Sequence, residues 1–177
     1  MIIEVLFLIL PVLLSGLTFI LYLRYINIPL LNSPLDGYAK INRKRIFGSN
    51  KTIKGPIIMS LFTTFFCFLT YQILKSELQY HLNNYQIMTV FFFAGLAYSL
   101  GELPTSFIKR QFDIKPGEKS ANFIFRLLDI YDSLLFIALI YYLLLPVSLI
   151  TIWISVLVGG LVHVLTDRLM IRLALKK

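Results

Sequence analysis

The chain has 177 residues, of which 58% are hydrophobic, and its mean hydropathy is +0.78. Soluble domains are about 45–50% apolar, so the composition excludes an ordinary water-soluble fold and points to a membrane protein. A net charge of +8 on only 15% charged residues bears on orientation and anionic partners, not on nucleic acid.

The elements are expected to be all-α. A bilayer takes about 20 helical residues to cross, and a first span is predicted over residues 2–23. Glu4 stands where a signal peptide would carry a basic leader, and no small-residue cleavage site follows, so a span is the better reading. A long polar loop over Arg24–Lys54 comes next. Its "KRIFGSNKTIKG" stretch holds Lys44, Arg45, Lys51 and Lys54 and no acid. Gly48–Thr52 offers a tight turn where the backbone can approach a ligand and successive N–H groups can cradle an anion. The turn leads into the N-terminus of the next helix, which favours anions. A basic loop resting on lipid headgroups explains the charge equally well.

The second span is predicted over residues 56–74, with Pro56 in its first turn. The third runs over 87–103 and is stopped by Pro104. Cys67 sits inside an apolar run, has no partner for an internal disulfide and reads as a small core residue. His81, in the short loop between these spans, reads as solvated. After the third span comes "GELPTSFIKRQFDIKPGEKS". There Ser106, Lys109 and Arg110 can share one helical face. Glu102 near the end of an apolar span is costly unless it is interfacial or partnered, and Lys109 or Arg110 would serve as partner. The apolar stretch from residue 127 to 165 is too long for one span and breaks at Pro146 into 127–145 and 147–165. At the start of the fourth span, "LDIYD" puts Asp129 and Asp132 three apart on one face. A divalent cation relieves the repulsion of such a pair. The helix dipole would account for a single acid in a first turn. His163 and Asp167, with Arg168 beside them, read as a structural pair at the end of the fifth helix ahead of a second metal site.

Charge fixes the orientation. Arg24–Lys54 carries seven Lys/Arg, Thr105–Arg126 five and the tail after Leu165 four, against Lys75 alone on the other side. The positive-inside rule then places the N-terminus outside and the C-terminus in the cytoplasm. One helical membrane domain over residues 1–177 results, with five transmembrane helices and two functional cytoplasmic loops. Basic groups with glycine, basic groups with serine, and paired acids meet on that face. Phosphoryl-type transfer uses this combination, with cations and N–H groups offsetting phosphate charge.

The chain resembles the CDP-archaeol synthase family, within the wider group of membrane CTP:phosphatidate cytidylyltransferases. The first motif is matched by Arg45, Phe47, Gly48, Asn50, Lys51, Thr52 and Gly55. The second is matched by Gly101, Ser106, Phe107, Lys109, Arg110, Lys115, Pro116 and Gly117, and the third by Leu128, Asp129 and Asp132. Glu102 replaces the usual Asp, and Asp113 stands where glycine is common. The resemblance implies transfer of CMP from CTP to a membrane lipid phosphate, phosphatidate-like or an archaeal diether glycerol phosphate. The products would be a CDP-activated lipid and pyrophosphate. It further implies catalytic roles for Lys51, Ser106, Lys109, Arg110, Asp129 and Asp132, and CTP contacts from Gly48, Asn50, Lys51, Thr52, Gly55 and Lys109. Mg²⁺ would be held by Asp129, Asp132 and Glu102. The expected partners are CTP, the lipid phosphate and the bilayer, without nucleic acid; the sequence is compatible with a homo-oligomer. The alternative is a non-enzymatic lipid-binding or transport protein that keeps the fold. A second likeness, of "DGYAK" to the start of the CDP-alcohol phosphotransferase signature, fails because no acid occurs between Asp36 and Glu77.

Overall fold

The computed structural model describes residues 1–118, 120 and 122–172. Five helices make the body: α1 (Ile2–Tyr25), α2 (Lys54–Leu74), α3 (Asn84–Gln111), α4 (Phe123–Leu144) and α5 (Leu149–Arg172). Four of them, α1, α2, α3 and α5, are long and apolar enough to cross a membrane. The fourth in chain order, α4, is apolar over its C-terminal half but carries Arg126, Asp129 and Asp132 in its first ten residues.

Polarity is distributed opposite to that of a soluble bundle. Ile73, Tyr142, Leu143, Trp153, Leu157 and Leu161 are exposed, whereas Ser15, Ser60, Thr63, Thr151 and Ser155 are buried. Several hydroxyls return a hydrogen bond to the carbonyl one turn earlier, as from Ser60 to Pro56 at 2.7 Å and from Ser155 to Thr151 at 2.8 Å. That satisfies a polar group where no water is at hand. The core is Phe7, Leu8, Ile87, Phe91, Ile137 and Tyr141, with Cys67 fully buried among them as expected. Small residues bring the helices together, the usual means where lipid offers no hydrophobic drive for helix association. A Cβ on Gly95 would stand 2.7 Å from the Met59 carbonyl oxygen and from Ser60 Cα, so α3 lies directly on α2. A Cβ on Gly101 would stand 3.0 Å from Ser133 Cα and 3.1 Å from the Asp132 carbonyl oxygen, so α3 lies on α4 at the level of the acids.

Three boundaries differ from expectation. The third helix does not stop at Pro104 but runs on to Gln111. Proline removes one hydrogen bond, which helices of this kind tolerate. Thr105 and Lys109 beyond it are buried, so packing holds the extra turns. The fourth helix starts at Phe123, with Asn122 accepting from the Ile124 N–H at 2.8 Å. Asp129 and Asp132 therefore lie beyond its first turn, and the helix dipole does not account for them. The fifth helix continues past Leu165 to Arg172, so Asp167 and Arg168 are helical. Of the basic tail, Lys176 and Lys177 lie outside the described residues, as does Lys119 in the second loop.

The loop after α1 is ordered by its own backbone. A 3₁₀ turn spans Pro29–Asn32, and a small hairpin pairs β1 (Lys40–Ile41) with β2 (Lys44–Arg45). Asn42 and Arg43 between the strands both have positive φ, 50° and 64°, as a tight type I′ turn requires. The two ends of the loop close on each other. Leu35 N–H donates to Lys51 O at 2.9 Å and Ile53 N–H to Ser33 O at 3.0 Å.

Candidate functional site

Loop conformation comes first, because it presents the lysines. Asp36 is buried at the centre of the loop. Its carboxylate accepts from the N–H groups of Tyr38, Phe47 and Gly48 at 3.1, 3.2 and 3.4 Å, and from Arg45 Nε at 3.1 Å. Arg45 Nη2 makes a second contact, and its guanidinium lies over the Tyr38 ring at 5.0 Å. The Arg45 guanidinium is the main reason why the Asp36 carboxyl is lowered to about 2. Gly48 follows with φ of 100°, and a Cβ there would meet Pro116 Cγ of the second loop at 3.0 Å. A turn from Gly48 to Lys51, closed at 3.4 Å, then delivers Asn50, Lys51 and Thr52.

Asp36→Asn should loosen this loop, because a neutral amide cannot hold the guanidinium and three N–H groups together. A depressed carboxyl contributes stability above its unfolded value near 3.8 and loses it as pH falls towards 2. The shift from 3.8 to about 2 corresponds to about 2 kcal/mol. The variant should therefore be less stable by about that amount at pH 7 and should lack the wild-type decline between pH 4 and 2. Thermal unfolding across pH measures both.

One cavity of about 1190 Å³ gathers the sequence-predicted residues. Asn50, Lys51 and Thr52 enter from the loop, Glu102, Ser106, Lys109 and Arg110 from α3, and Asp129 and Asp132 from α4. Within it the Lys51 ammonium pairs with Glu102. Lys109 Nζ stands 2.5 Å from both oxygens of Asp129. Asp132 is buried, accepts from Ser133 N–H at 2.6 Å and from the Ser133 hydroxyl at 3.3 Å, and has no ion pair among the described residues. Gly48 and Gly55 do not line this cavity. Gly48 borders a smaller one of about 270 Å³ between the two loops, and Gly55 lies in the first turn of α2.

The same cavity changes character along its length. Beyond Asp132 its walls are Ile137, Ala138 and Tyr141 of α4, Leu8, Val12 and Leu17 of α1, and Ile152 and Val156 of α5. Asp132 and Tyr141 are nine residues apart on one helix, so the apolar part reaches roughly 14 Å from the acids. Arg126, His163, Asp167 and Arg168 also line the polar end. Arg126 had a readable signal, since it lies three residues before Asp129 on the same helical face.

The carboxylates fit a hard divalent cation in kind. Glu102, Asp129 and Asp132 are oxygen donors on one cavity, and buried Asp132 is a charge in want of compensation. Among the described residues no three His, Cys, Asp or Glu side chains stand close enough to hold a metal together, and lysines neutralise two of the three carboxylates.

Comparison with known proteins adds to this. The sequence model for the CarS-like CDP-archaeol synthases matches residues 1–177. A solved structure of an intramembrane enzyme for archaeal membrane lipids biosynthesis is similar over 92% of this chain and 91% of that one, with a TM-score of 0.65 and 20% identity. At that identity the likeness is one of fold. No curated protein sequence matches. The apolar helices and the shared fold make this a multi-pass membrane protein.

Proposed function

The chain belongs to the CDP-archaeol synthase family, and from that premise we propose that it transfers CMP from CTP to a membrane lipid phosphate. The two-ended cavity carries this reading: its polar end suits a nucleotide triphosphate, and its apolar end suits the chains of a lipid. A lipid phosphate oxygen attacks the α-phosphorus of CTP, the bond to the β-phosphate breaks, and pyrophosphate leaves. A phosphomonoester is already anionic at neutral pH, so alignment and charge compensation do most of the work. Lys51, Lys109 and Arg110 contact the phosphates. Asn50, Thr52 and Ser106 orient the nucleotide and the acceptor, and Gly48 and Gly55 shape the loop and helix start that carry them. Asp129, Asp132 and Glu102 would hold Mg²⁺ only by standing closer together than they do here, with Lys51 and Lys109 turned from Glu102 and Asp129 to the phosphates; the ion when bound supplies positive charge to the triphosphate.

Orientation follows from the basic residues. With α4 counted as a fifth span, the Lys/Arg-rich loops face the cytoplasm, where CTP is found. The acceptor is a phosphatidate-like lipid or a diether glycerol phosphate, since both present the same phosphate.

The test is purified protein in lipid nanodiscs with labelled CTP, Mg²⁺ and a panel of diacyl and diether glycerol phosphates. A CDP-lipid and one pyrophosphate per turnover are expected. No product with any acceptor would sink the enzymatic reading, and lipid binding without turnover would favour a non-catalytic role.

A further inference from the structure

The C-terminus of α3 carries the residues proposed to meet phosphate, and its cap is unusual. Asp113 N–H donates to Arg110 O at 3.2 Å and Ile114 N–H to Lys109 O at 3.0 Å. This double closure is a Schellman cap, which needs a left-handed residue at the position of Asp113. Glycine takes that conformation freely, but here Asp113 adopts it with φ of 58°. Its side chain does nothing for the cap. The carboxylate instead receives Lys44 Nζ at 2.7 Å, from the hairpin of the first loop. The same ammonium donates to Gln111 O at 2.8 Å, a carbonyl in the last turn of α3. A cation on that carbonyl also offsets the negative end of the helix dipole beside residues that would receive an anionic substrate.

We propose that Lys44 is a positioning residue, which with Asp113 clasps the first loop to the last turn of α3. The clasp sets the distance between the Asn50–Thr52 turn and the Ser106–Arg110 turn, which would grip the nucleotide from two sides. The pairing rests on the phosphate-binding reading above. The Asp113 side chain is 78% exposed, and such ion pairs add little to global stability. The effect of the pair therefore falls on placement. Gly48 against Pro116 and the Lys51–Glu102 pair also join the first loop to α3 and the loop after it, so the fold stays intact when the clasp is cut.

Four variants test this: Lys44→Met, Lys44→Arg, Asp113→Asn and Asp113→Gly. Hydrogen exchange over residues 44–52 and 107–114 is read without nucleotide, and CTP affinity is read by calorimetry with Mg²⁺. Lys44→Met should speed exchange in both segments together and weaken CTP about tenfold, with the unfolding temperature little changed. Lys44→Arg should restore both. Asp113→Asn, which keeps the left-handed turn without the charge, should weaken CTP severalfold. Asp113→Gly should hold or raise the unfolding temperature while still weakening CTP, a separation that a purely structural pair would not give. Exchange unchanged in either segment of Lys44→Met overturns the clasp, whatever the protein does with CTP. Faster exchange with unchanged CTP affinity overturns its role in positioning. Absence of CTP binding by the wild type itself counts against the proposed function, and the exchange result still decides the clasp.

Discussion

Asp132→Asn is expected to lower CDP-lipid formation about 10²–10³-fold, the range seen when stabilisation of transition-state charge is removed, here through loss of the cation that Asp132 would hold. The substitution is nearly isosteric. The new amide oxygen can still accept from the Ser133 N–H that now stands 2.6 Å from the carboxylate, so the helix should keep its local hydrogen bonds. Thr105 of α3 also hydrogen-bonds the carboxylate, and its hydroxyl can either donate to or accept from the new amide, so the main change is the charge. Asp129 offers a less clean experiment, because its carboxylate holds Lys109 at 2.5 Å through both oxygens, and Lys109 is itself buried. Neutralising Asp129 takes the partner from the Lys109 ammonium, whose side chain is only 8% exposed although that of Asp129 is 40% exposed, so a lost rate would report on both residues at once. Rate with labelled CTP, and CTP binding titrated against Mg²⁺, should both be measured on Asp132→Asn. Loss of Mg²⁺-dependent binding together with the rate is the expected pattern. Turnover within tenfold of wild type would remove Asp132 from the reacting centre.

The largest effect on folding is expected at Gly95. An alanine methyl there would stand 2.7 Å from the Met59 carbonyl oxygen and 2.7 Å from Ser60 Cα. Both neighbours are backbone of α2, so no side chain can swing aside and the two helices must part. Overpacking of this kind costs about 1–3 kcal/mol, and contact with backbone on two sides puts Gly95→Ala at the upper end. Gly16 is the control. A Cβ there meets nothing within 4 Å, and alanine is favoured over glycine in a helix by about 1 kcal/mol. Gly16→Ala should therefore unfold no more easily than wild type in a detergent titration, while Gly95→Ala should unfold markedly sooner. Equal behaviour of the two would mean that α2 and α3 are not seated on each other through Gly95.

Hydropathy made the helices legible, because a bilayer demands long uninterrupted apolar runs whatever the tertiary detail. It placed the break at Pro146 between α4 and α5 correctly: α4 ends at Leu144 and α5 begins at Leu149, although Leu145 and Val147 on either side of the proline still pack on the core. It misplaced the stop at Pro104, where buried Thr105 and Lys109 hold the helix past a residue that would end it in isolation. The candidate site was legible in part for a chemical reason: Lys51, Glu102, Lys109, Asp129 and Asp132 are charges flanking apolar spans, and such charges need a purpose. The partners were not legible. Nothing in spacing says that Lys51 meets Glu102 and Lys109 meets Asp129, rather than Glu102 meeting Lys109. Asp36 was the largest omission. The "DGYAK" stretch drew notice only as a false likeness to another signature. Its acid proves to be the buried centre around which the basic loop folds. A carboxylate that organises backbone N–H groups has no sequence period, and only the folded loop reveals it.

The cavity that runs from charged walls to apolar ones also dictates how the proposed reaction must be measured. Its two substrates would arrive from two solvents, the nucleotide by diffusion in water and the acceptor by diffusion within a two-dimensional sheet. The rate should then track the mole fraction of acceptor in the surrounding lipid, not its amount per litre. Diluting the acceptor with inert lipid should slow turnover even when the total concentrations of protein and acceptor are held constant. Adding more vesicles of the same composition should not.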